Sequence, residues 1–147
     1  MAAYTADNFT QIPFNGAYGN KASAYGLYTF STASGVVAAD TIDLVKIPAG
    51  ARVLSGRIIV ATAITTATIA IGVRYSDGTS TGGTTGTAVM SGTGVALVTA
   101  LAPQQLNFQP FSNDADIIVY ATYVNGAAPG HGIALSAEID YHANGTK

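Results

Sequence analysis

Residues 116–124 read Asp-Ile-Ile-Val-Tyr-Ala-Thr-Tyr-Val, and most of these side chains are β-branched or aromatic. Such side chains favour β-strands because they fit a pleated surface better than a helix. Apolar residues occupy both faces of the predicted strand, which is typical of a strand that is covered on both sides. The segment therefore predicts a central strand in a buried sheet.

Alternation of apolar residues with polar or small ones predicts two further strands. In residues 69–75, Ile, Ile, Val and Tyr share one face, while Ala, Gly and Arg share the other. In residues 133–142, the face opposite the apolar one carries Glu, Asp and His, so we expect it to meet solvent or a partner. Segments bounded by Gly, Pro, Asn or Asp give the remaining predicted strands, which are 24–33, 41–47, 52–62, 95–101 and 104–109.

Eight strands without crossover helices predict an all-β fold, namely an antiparallel β-sandwich of jelly-roll type. A closed barrel also fits this number of strands. At 147 residues the chain has the size of one domain. We expect residues 24–147 to form a single β-sandwich domain and residues 1–23 to form an extended N-terminal arm.

The predicted arm spaces its aromatic residues irregularly among Asn, Gly, Ala and Pro, which does not suit a regular strand. These side chains need a groove, either on their own domain or on a neighbouring subunit. The candidate interface residues in and beside the arm are Tyr4, Phe9, Ile12, Phe14, Tyr18, Tyr25 and Tyr28. The Gly- and Thr-rich residues 76–94 predict an exposed loop tip that is a second candidate for contact.

The composition is apolar and poor in charge. Hydrophobic residues make up 48% of the chain, charged residues make up 10%, and the formal net charge is −2. Soluble domains typically contain about 25% charged residues, so we expect part of this neutral surface to be buried in a homo-oligomer or a larger assembly. The six basic residues are scattered along the chain, which disfavours binding to nucleic acid or to an anionic membrane.

Other sequence features bear on the cellular compartment. The chain contains no cysteine, which excludes disulfides and thiolate metal sites. No apolar run approaches the ~20 residues of a membrane span. The first residues have neither the basic start nor the apolar run of a secretory signal, so we expect synthesis without export.

No pattern in the sequence predicts catalysis or a bound cofactor. Residues 78–94 are rich in glycine but lack the Gly-Lys-Ser/Thr ending of a phosphate-binding loop. Glu138, Asp140 and His142 share one face of a predicted strand, but a solvated strand face shows the same pattern, so we expect no metal there. Residues 113–116, Asn-Asp-Ala-Asp, predict a turn held by side-chain to backbone hydrogen bonds. We expect a non-enzymatic protein without metal or cofactor.

Residues 43–60 and 67–76 together resemble a pattern in small structural proteins of tailed bacteriophages. The first segment reads Asp-Leu-Val-Lys-Ile-Pro-Ala-Gly-Ala-Arg-Val-Leu-Ser-Gly-Arg-Ile-Ile-Val, and the second reads Ala-Thr-Ile-Ala-Ile-Gly-Val-Arg-Tyr-Ser. The chain is similar in these residues to head decoration proteins, which are also called cement proteins. Pro48 and Gly50 suit the chain reversal between the first two strands of the pattern.

The resemblance implies a β-sandwich on the outer surface of the virion, made in the host cytoplasm and bound across neighbouring subunits of the major capsid protein. It also implies a homo-oligomer, with a trimer favoured and a dimer possible. An alternative function is carbohydrate binding or adhesion, as a module of a phage fibre or a bacterial surface system. That alternative depends on the loop at residues 76–94 and on Tyr4, Tyr18, Tyr25 and Tyr28, because aromatic faces can stack on sugars.

Overall fold

The computed structural model describes residues 3–9, 21–30, 37, 39–63, 68–77, 95–96, 101–125 and 132–143. These residues contain ten β-strands and no helix, so none of their segments is a membrane-spanning helix. The strands are β1 (Ala3–Thr5), β2 (Lys21–Thr29), β3 (Thr41–Ile47), β4 (Ala51–Val60), β5 (Thr68–Tyr75), β6 (Val95–Ala96), β7 (Gln104–Gln105), β8 (Phe111–Ser112), β9 (Ile117–Asn125) and β10 (Ala134–Ala143).

The strands form two sheets of five strands each. Sheet I has the order β1-β3-β9-β5-β6, and sheet II has the order β2-β10-β4-β7, with β8 also paired to β4. All neighbours are antiparallel except β1, which runs parallel to β3. The predicted antiparallel β-sandwich is confirmed, and β9 lies in the middle of sheet I as its sequence predicts.

We infer the jelly-roll arrangement from the strand order. The chain changes sheet at each step from β2 to β3, β4 and β5, and it then returns so that β9 pairs with β3 and β10 pairs with β2. If β7 and β8 are taken as two pieces of one edge strand and β1 is left aside, the two four-stranded sheets have the orders β2-β10-β4-β7/β8 and β3-β9-β5-β6. This is the strand order of a jelly roll, which consists of two Greek keys.

The core lies between the two sheets and is built from the inward residues of every long strand. Ile42, Ile58, Ile71 and Leu135 have no exposed surface, and Tyr141 is also fully enclosed. Burial alternates along β10, as the period-two pattern predicts. Tyr123 in β9 and Tyr141 in β10 are buried, whereas Tyr75 at the end of β5 is half-buried.

Several strand boundaries differ from the predictions. β2 begins at Lys21, three residues before the predicted domain boundary at 24, and it ends at Thr29. In the predicted strand 104–109, Gln104–Gln105 pair with β4 and the Leu106 amide donates to the Gly56 carbonyl of β4. The chain then leaves the edge of β4 and pairs with it again at Phe111–Ser112. Of the predicted strand 95–101, the structure describes a pair of strand residues, Val95–Ala96.

Gly26 allows the two sheets to approach closely at the edge of the sandwich. β3 has a bulge between Asp43 and Val45, so Leu44 has no partner in β9. A Cβ atom on Gly26 would lie 2.1 Å from the Leu44 carbonyl oxygen, which belongs to the backbone and cannot rotate away. The absence of a side chain at Gly26 is therefore a condition for this packing.

Substitution Gly26→Ala should destabilise the protein by about 2–4 kcal/mol, because the two sheets must separate at this point. The same substitution at Gly72 is the control. There the added Cβ would meet the end of the Tyr120 side chain at 2.8 Å, and that ring can move, so a loss of only about 1 kcal/mol is expected. Urea unfolding of both variants measures the difference, and an equal loss in the two would contradict this account.

Candidate contact surfaces

Residues 3–9 lie on their own domain and bridge its two sheets. β1 extends sheet I beside β3, and the Ala6 amide donates to the Asp43 carbonyl at 2.7 Å. The chain then reaches β2, where the Asp7 amide donates to the Leu27 carbonyl at 2.6 Å. The Asn8 side chain completes the edge, because its amide donates to the Tyr25 carbonyl and its oxygen accepts from the Leu27 amide. This first part of the predicted arm is thus integrated into the sandwich.

The seven candidate interface residues have different environments. Tyr4 and Phe9 are half-buried against the core. Tyr28 is a core residue, 6% exposed, and its ring contacts Phe30 edge-on at 5.0 Å and Tyr4 at 6.0 Å. Burial, helped by nearby Tyr4 and acidic groups, raises the pKa of Tyr28. Tyr25 is 50% exposed, and Ile12, Phe14 and Tyr18 lie outside the described residues, as do residues 78–94 of the predicted loop tip.

Exposed apolar side chains gather at one end of the sandwich, which we call the apolar end. It is the end where β2, β4 and β9 finish and where β3, β5 and β10 begin. Three of the four large hydrophobic side chains that are exposed among the described residues belong to it: Val37 (61%), Leu101 (72%) and Val124 (44%). The Leu101 amide donates to the Val60 carbonyl, and the Ala39 amide donates to the Tyr123 carbonyl. The Asp40 amide donates to the Val37 carbonyl.

The backbone of the apolar end is also strained. The non-glycine residues with positive φ in the described part of the chain are Ala39 (φ 74°) and Leu101 (φ 57°), and both lie at this end. Glycine and asparagine tolerate this conformation better than leucine does. Leu101 therefore combines an unfavourable backbone conformation with an apolar side chain exposed to water.

Charged side chains lie mainly toward the opposite end. Every basic residue except Lys147 lies in the described part of the chain, and none of these is at the apolar end. Two carboxylates do lie there: Asp40, which is 2% exposed and accepts a hydrogen bond from the Val37 amide, and Asp7, which accepts from the Thr29 hydroxyl at the edge. The apolar end is thus poor in charge, as expected of a surface that packs against protein.

On the outer face of sheet II, ion pairs run across three strands. The Asp140 carboxylate of β10 accepts from Ser23 and Lys21 of β2 on one side and from Ser55 of β4 on the other. Burial alone would raise the pKa of Asp140, but these hydrogen bonds together outweigh it and hold the pKa below its usual value. Next along β10, Glu138 binds the Arg57 guanidinium through Nε and Nη2.

These side chains surround a shallow depression of about 290 Å³, which we call the sheet II groove. It crosses the strands from Lys21 on β2 to Gln105 on β7, with Glu138 and Asp140 at its centre. Tyr25 lies on the same outer face, directly opposite Glu138 in the strand register. The groove is polar and its four charged groups balance one another.

The predicted absence of a metal site at Glu138, Asp140 and His142 concerns this same face of β10. Both carboxylates bind cationic side chains, and the strand register places His142 between Lys21 and Arg52. Within the described ranges, no group of three His, Asp or Glu side chains is arranged to hold a metal ion.

The outer face of sheet I carries an ion pair of its own. Arg74 of β5 donates to both carboxylate oxygens of Asp43 on β3 at 2.6 Å, and its guanidinium lies 5.2 Å from the centre of the Tyr120 ring. Burial raises the pKa of Asp43 by more than Arg74 lowers it. The ring of Tyr120 has room there because Gly72 lies opposite it on β5.

The turn predicted at residues 113–116 is formed. It lies between β8 and β9, at the end of the sandwich opposite the apolar end, and it contacts the connection between β3 and β4. The Asn113 amide donates to the carbonyls of Pro48 and Ala115. Asp116 accepts from the Ala49 amide at 2.9 Å and binds Lys46 at 3.0 Å. The hydrogen bond from Lys46, followed by that from Ala49, lowers the pKa of Asp116.

Comparison with solved structures finds the same fold in three phage capsids. A chain in the capsid of Ralstonia phage GP4 superposes with a TM-score of 0.71 at 17% identity, and the match covers 99% of this chain and 100% of that one. A chain in the acidic stable capsid of Helicobacter pylori bacteriophage KHP30 gives a TM-score of 0.55 at 16% identity, covering 88% and 92%. A chain in the capsid asymmetric unit of cyanophage Pam1 gives 0.55 at 21%, covering 90% and 91%.

At these identities the likeness concerns the fold. No protein-family model matches the chain, and no curated protein sequence matches it significantly. The shared coverage shows that each matched chain is about as long as this one. The likeness therefore extends over at least 91% of each matched chain.

The pKa shifts predict how stability depends on pH. The pKa of Asp116 is lower in the folded than in the unfolded chain, so its stabilising contribution is present above about pH 4 and is lost as the pH falls through the folded pKa. Asp43 has the opposite sign, because its raised pKa makes the folded state the stronger proton acceptor. Asp116→Asn should flatten the loss of unfolding free energy between about pH 5 and pH 3. Asp43→Asn should steepen it.

Urea unfolding at several pH values measures both slopes. The two substitutions are matched, since each removes one carboxylate that pairs with a single cation. A flatter slope in both variants would contradict the opposite signs.

Proposed function

We propose that the protein is a structural component of a phage virion, with no enzymatic activity. Its support is the fold shared with chains of three phage capsids, and above all the match to the Ralstonia phage GP4 chain over nearly the full length of both. Compatible with this, the ionic side chains on both sheet faces are bound to one another, so that they hold the fold together and are not arranged around a reacting centre.

Within the virion, we propose the role of a decoration, or cement, protein on the outer surface of the head. A β-sandwich that matches solved capsid chains over at least 91% of their own length suits a separate component added to a shell. Such a component stabilises the head by bridging neighbouring subunits of the major capsid protein through many non-covalent contacts. It is made in the host cytoplasm and joins the head there.

The apolar end is the surface that we propose meets the shell. Its exposed side chains Val37, Leu101 and Val124 are large and apolar, and the described basic residues lie away from it. Protein interfaces are depleted of charge at their centres. Contact with the shell would remove the apolar side chain of Leu101 from water, which favours binding. The observation that carries this proposal is Leu101 itself, which is 72% exposed and held at positive φ.

We also propose that the N-terminal arm contributes to this contact through Ile12, Phe14 and Tyr18, together with Tyr4 and Phe9. Tyr25 lies on the outer face of sheet II, apart from the apolar end, and is not part of the proposed shell contact. Tyr28 contributes differently, because it is buried and shapes the surface only by supporting Tyr4. Removal of residues 1–20 is a poor test of the arm, since Ala6 is buried and residues 6–8 bind β2 and β3.

The structure gives less support to a carbohydrate-binding module built on the tyrosine cluster. Such a module needs aromatic faces open to a ligand. Tyr28 is buried and Tyr4 packs on it, which leaves Tyr25 as the tyrosine of that cluster that is exposed in the described residues. The virion structural role is therefore the better supported of the two functions.

Leu101→Asn should weaken binding to expanded heads that lack this protein by at least about tenfold, because it removes an apolar anchor from the interface. The fold should tolerate it, since asparagine suits the positive φ of this position. Val124→Thr, which keeps the branched shape in β9, should weaken binding by a smaller factor. Co-sedimentation of the purified protein with heads, together with thermal unfolding, measures both effects.

Ser112→Asn is the matched control, because it places the same side chain at an exposed position of the opposite end. It should leave head binding unchanged. If Leu101→Asn bound as tightly as the unchanged protein, the apolar end would not be the shell contact. If no form of the protein bound heads, the decoration role itself would be wrong.

We also propose that the protein is a homo-oligomer, with a trimer favoured and a dimer possible. A chain with so little charge has weak repulsion between copies, which favours association through neutral surface. Mass photometry or sedimentation of the isolated protein should give about three times the 14.8 kDa of one chain. A monomer at micromolar concentration would contradict this.

A further inference from the structure

The sheet II groove has chemistry that neither the core nor the proposed shell contact uses. It lies on the outer face of sheet II, and four strands supply its walls. The β-sheet around it is continuous, with a register shift between β10 and β4 next to Asp140 and a gap at the outer edge of β4, where β7 and β8 pair with separate parts of the strand. The groove is therefore a fixed feature of a rigid sheet and not a gap between flexible segments.

Its polar groups are held in place by one another. Asp140 fixes Ser23, Lys21 and Ser55 around a single carboxylate. Glu138 accepts from two nitrogens of Arg57 through one oxygen, Oε2. Because these side chains are already ordered, a ligand that binds them loses little additional conformational entropy.

Hydrogen-bonding capacity remains after these contacts are made. Within the described residues, Glu138 Oε1 and Arg57 Nη1 have no partner, and neither has the exposed side-chain amide of Gln105. Lys21 uses one of its three ammonium hydrogens on Asp140. Donors and acceptors thus alternate along the groove, at separations set by neighbouring strands about 4.8 Å apart.

The charge balance selects the kind of ligand. Lys21 and Arg57 offset Glu138 and Asp140, so an anion or a cation would have to compete with an existing ion pair. A neutral molecule with many hydroxyl groups avoids that cost, because each hydroxyl can both donate and accept. Tyr25, half exposed and opposite Glu138, adds an aromatic surface on which a sugar ring can stack.

We propose that the sheet II groove binds neutral saccharides, of the kind present in polysaccharides on cell surfaces. The groove spans four strands, or roughly 14 Å, which is the length of about three sugar units. The groove lies on a sheet face, apart from the end of the sandwich that carries Leu101 and Val124. A decorated head could bind the shell and a saccharide at the same time.

The test applies the labelled full-length protein to an array of neutral and anionic oligosaccharides, and then titrates the neutral oligosaccharide that is bound best. Gln105→Ala and Tyr25→Ala should each weaken that binding by roughly tenfold, as expected for the loss of a hydrogen-bonding group or a stacking surface. Arg52→Ala is the control, because Arg52 is exposed on β4 but does not line the groove. It should leave saccharide binding unchanged.

Three results would overturn the proposal: no neutral oligosaccharide bound above background, a preference for anionic oligosaccharides, or equal binding by the Gln105→Ala and Tyr25→Ala variants and the unchanged protein. The same variants are tested for head binding and thermal unfolding, and neither should change. Loss of head binding with Gln105→Ala or Tyr25→Ala would instead identify the groove as a shell contact. Failure of the saccharide proposal thus leaves the decoration role intact, and the reverse also holds.

Discussion

The packing of two sheets face to face is the interaction on which the rest of the structure depends. Each long strand buries one of its faces in the shared core, so the outward residues are those available for contact with other molecules. At the edge of the sandwich the sheets are so close that Gly26 must lack a side chain where the Leu44 carbonyl projects from the bulge in β3. The positions of the outer residues are fixed only because this core is rigid.

The surface of this rigid sandwich has charged parts and an apolar part, which lie in different places. Charged side chains lie on the sheet faces and at the end that holds Asn113 and Asp116, where they bind one another across strands. Exposed apolar side chains lie at the other end, and the strained backbone of Leu101 lies there too. A chain with few charges therefore still has two chemically different ends.

The N-terminal segment shows how one chain can protect an edge. β2 is an edge strand, and such strands offer unpaired backbone groups to other proteins. The Asp7 amide and the Asn8 side chain bind the exposed carbonyls and an amide of this edge, with Asn8 taking the place of a peptide group. Any partner that uses this edge must therefore compete with residues 7 and 8 of the same chain.

The sequence by itself determined that the chain is built from strands, which face of β5 and β10 is buried, and that β9 lies in the interior of a sheet. These properties follow from a period of two residues, which is local and can be read from neighbouring positions. The expected cover on both sides of β9 is wrong for its outer face, where Tyr120 and Thr122 are half-buried and Val124 is exposed. Only the tertiary structure decided that Tyr28 is a core residue, that residues 3–9 bind their own domain, and that Val37, Leu101 and Val124 lie at one end. Strand pairing joins residues that are far apart in the chain, and loop residues carry no periodic signal. Which of these residues come into contact therefore depends on the order of strands in the two sheets.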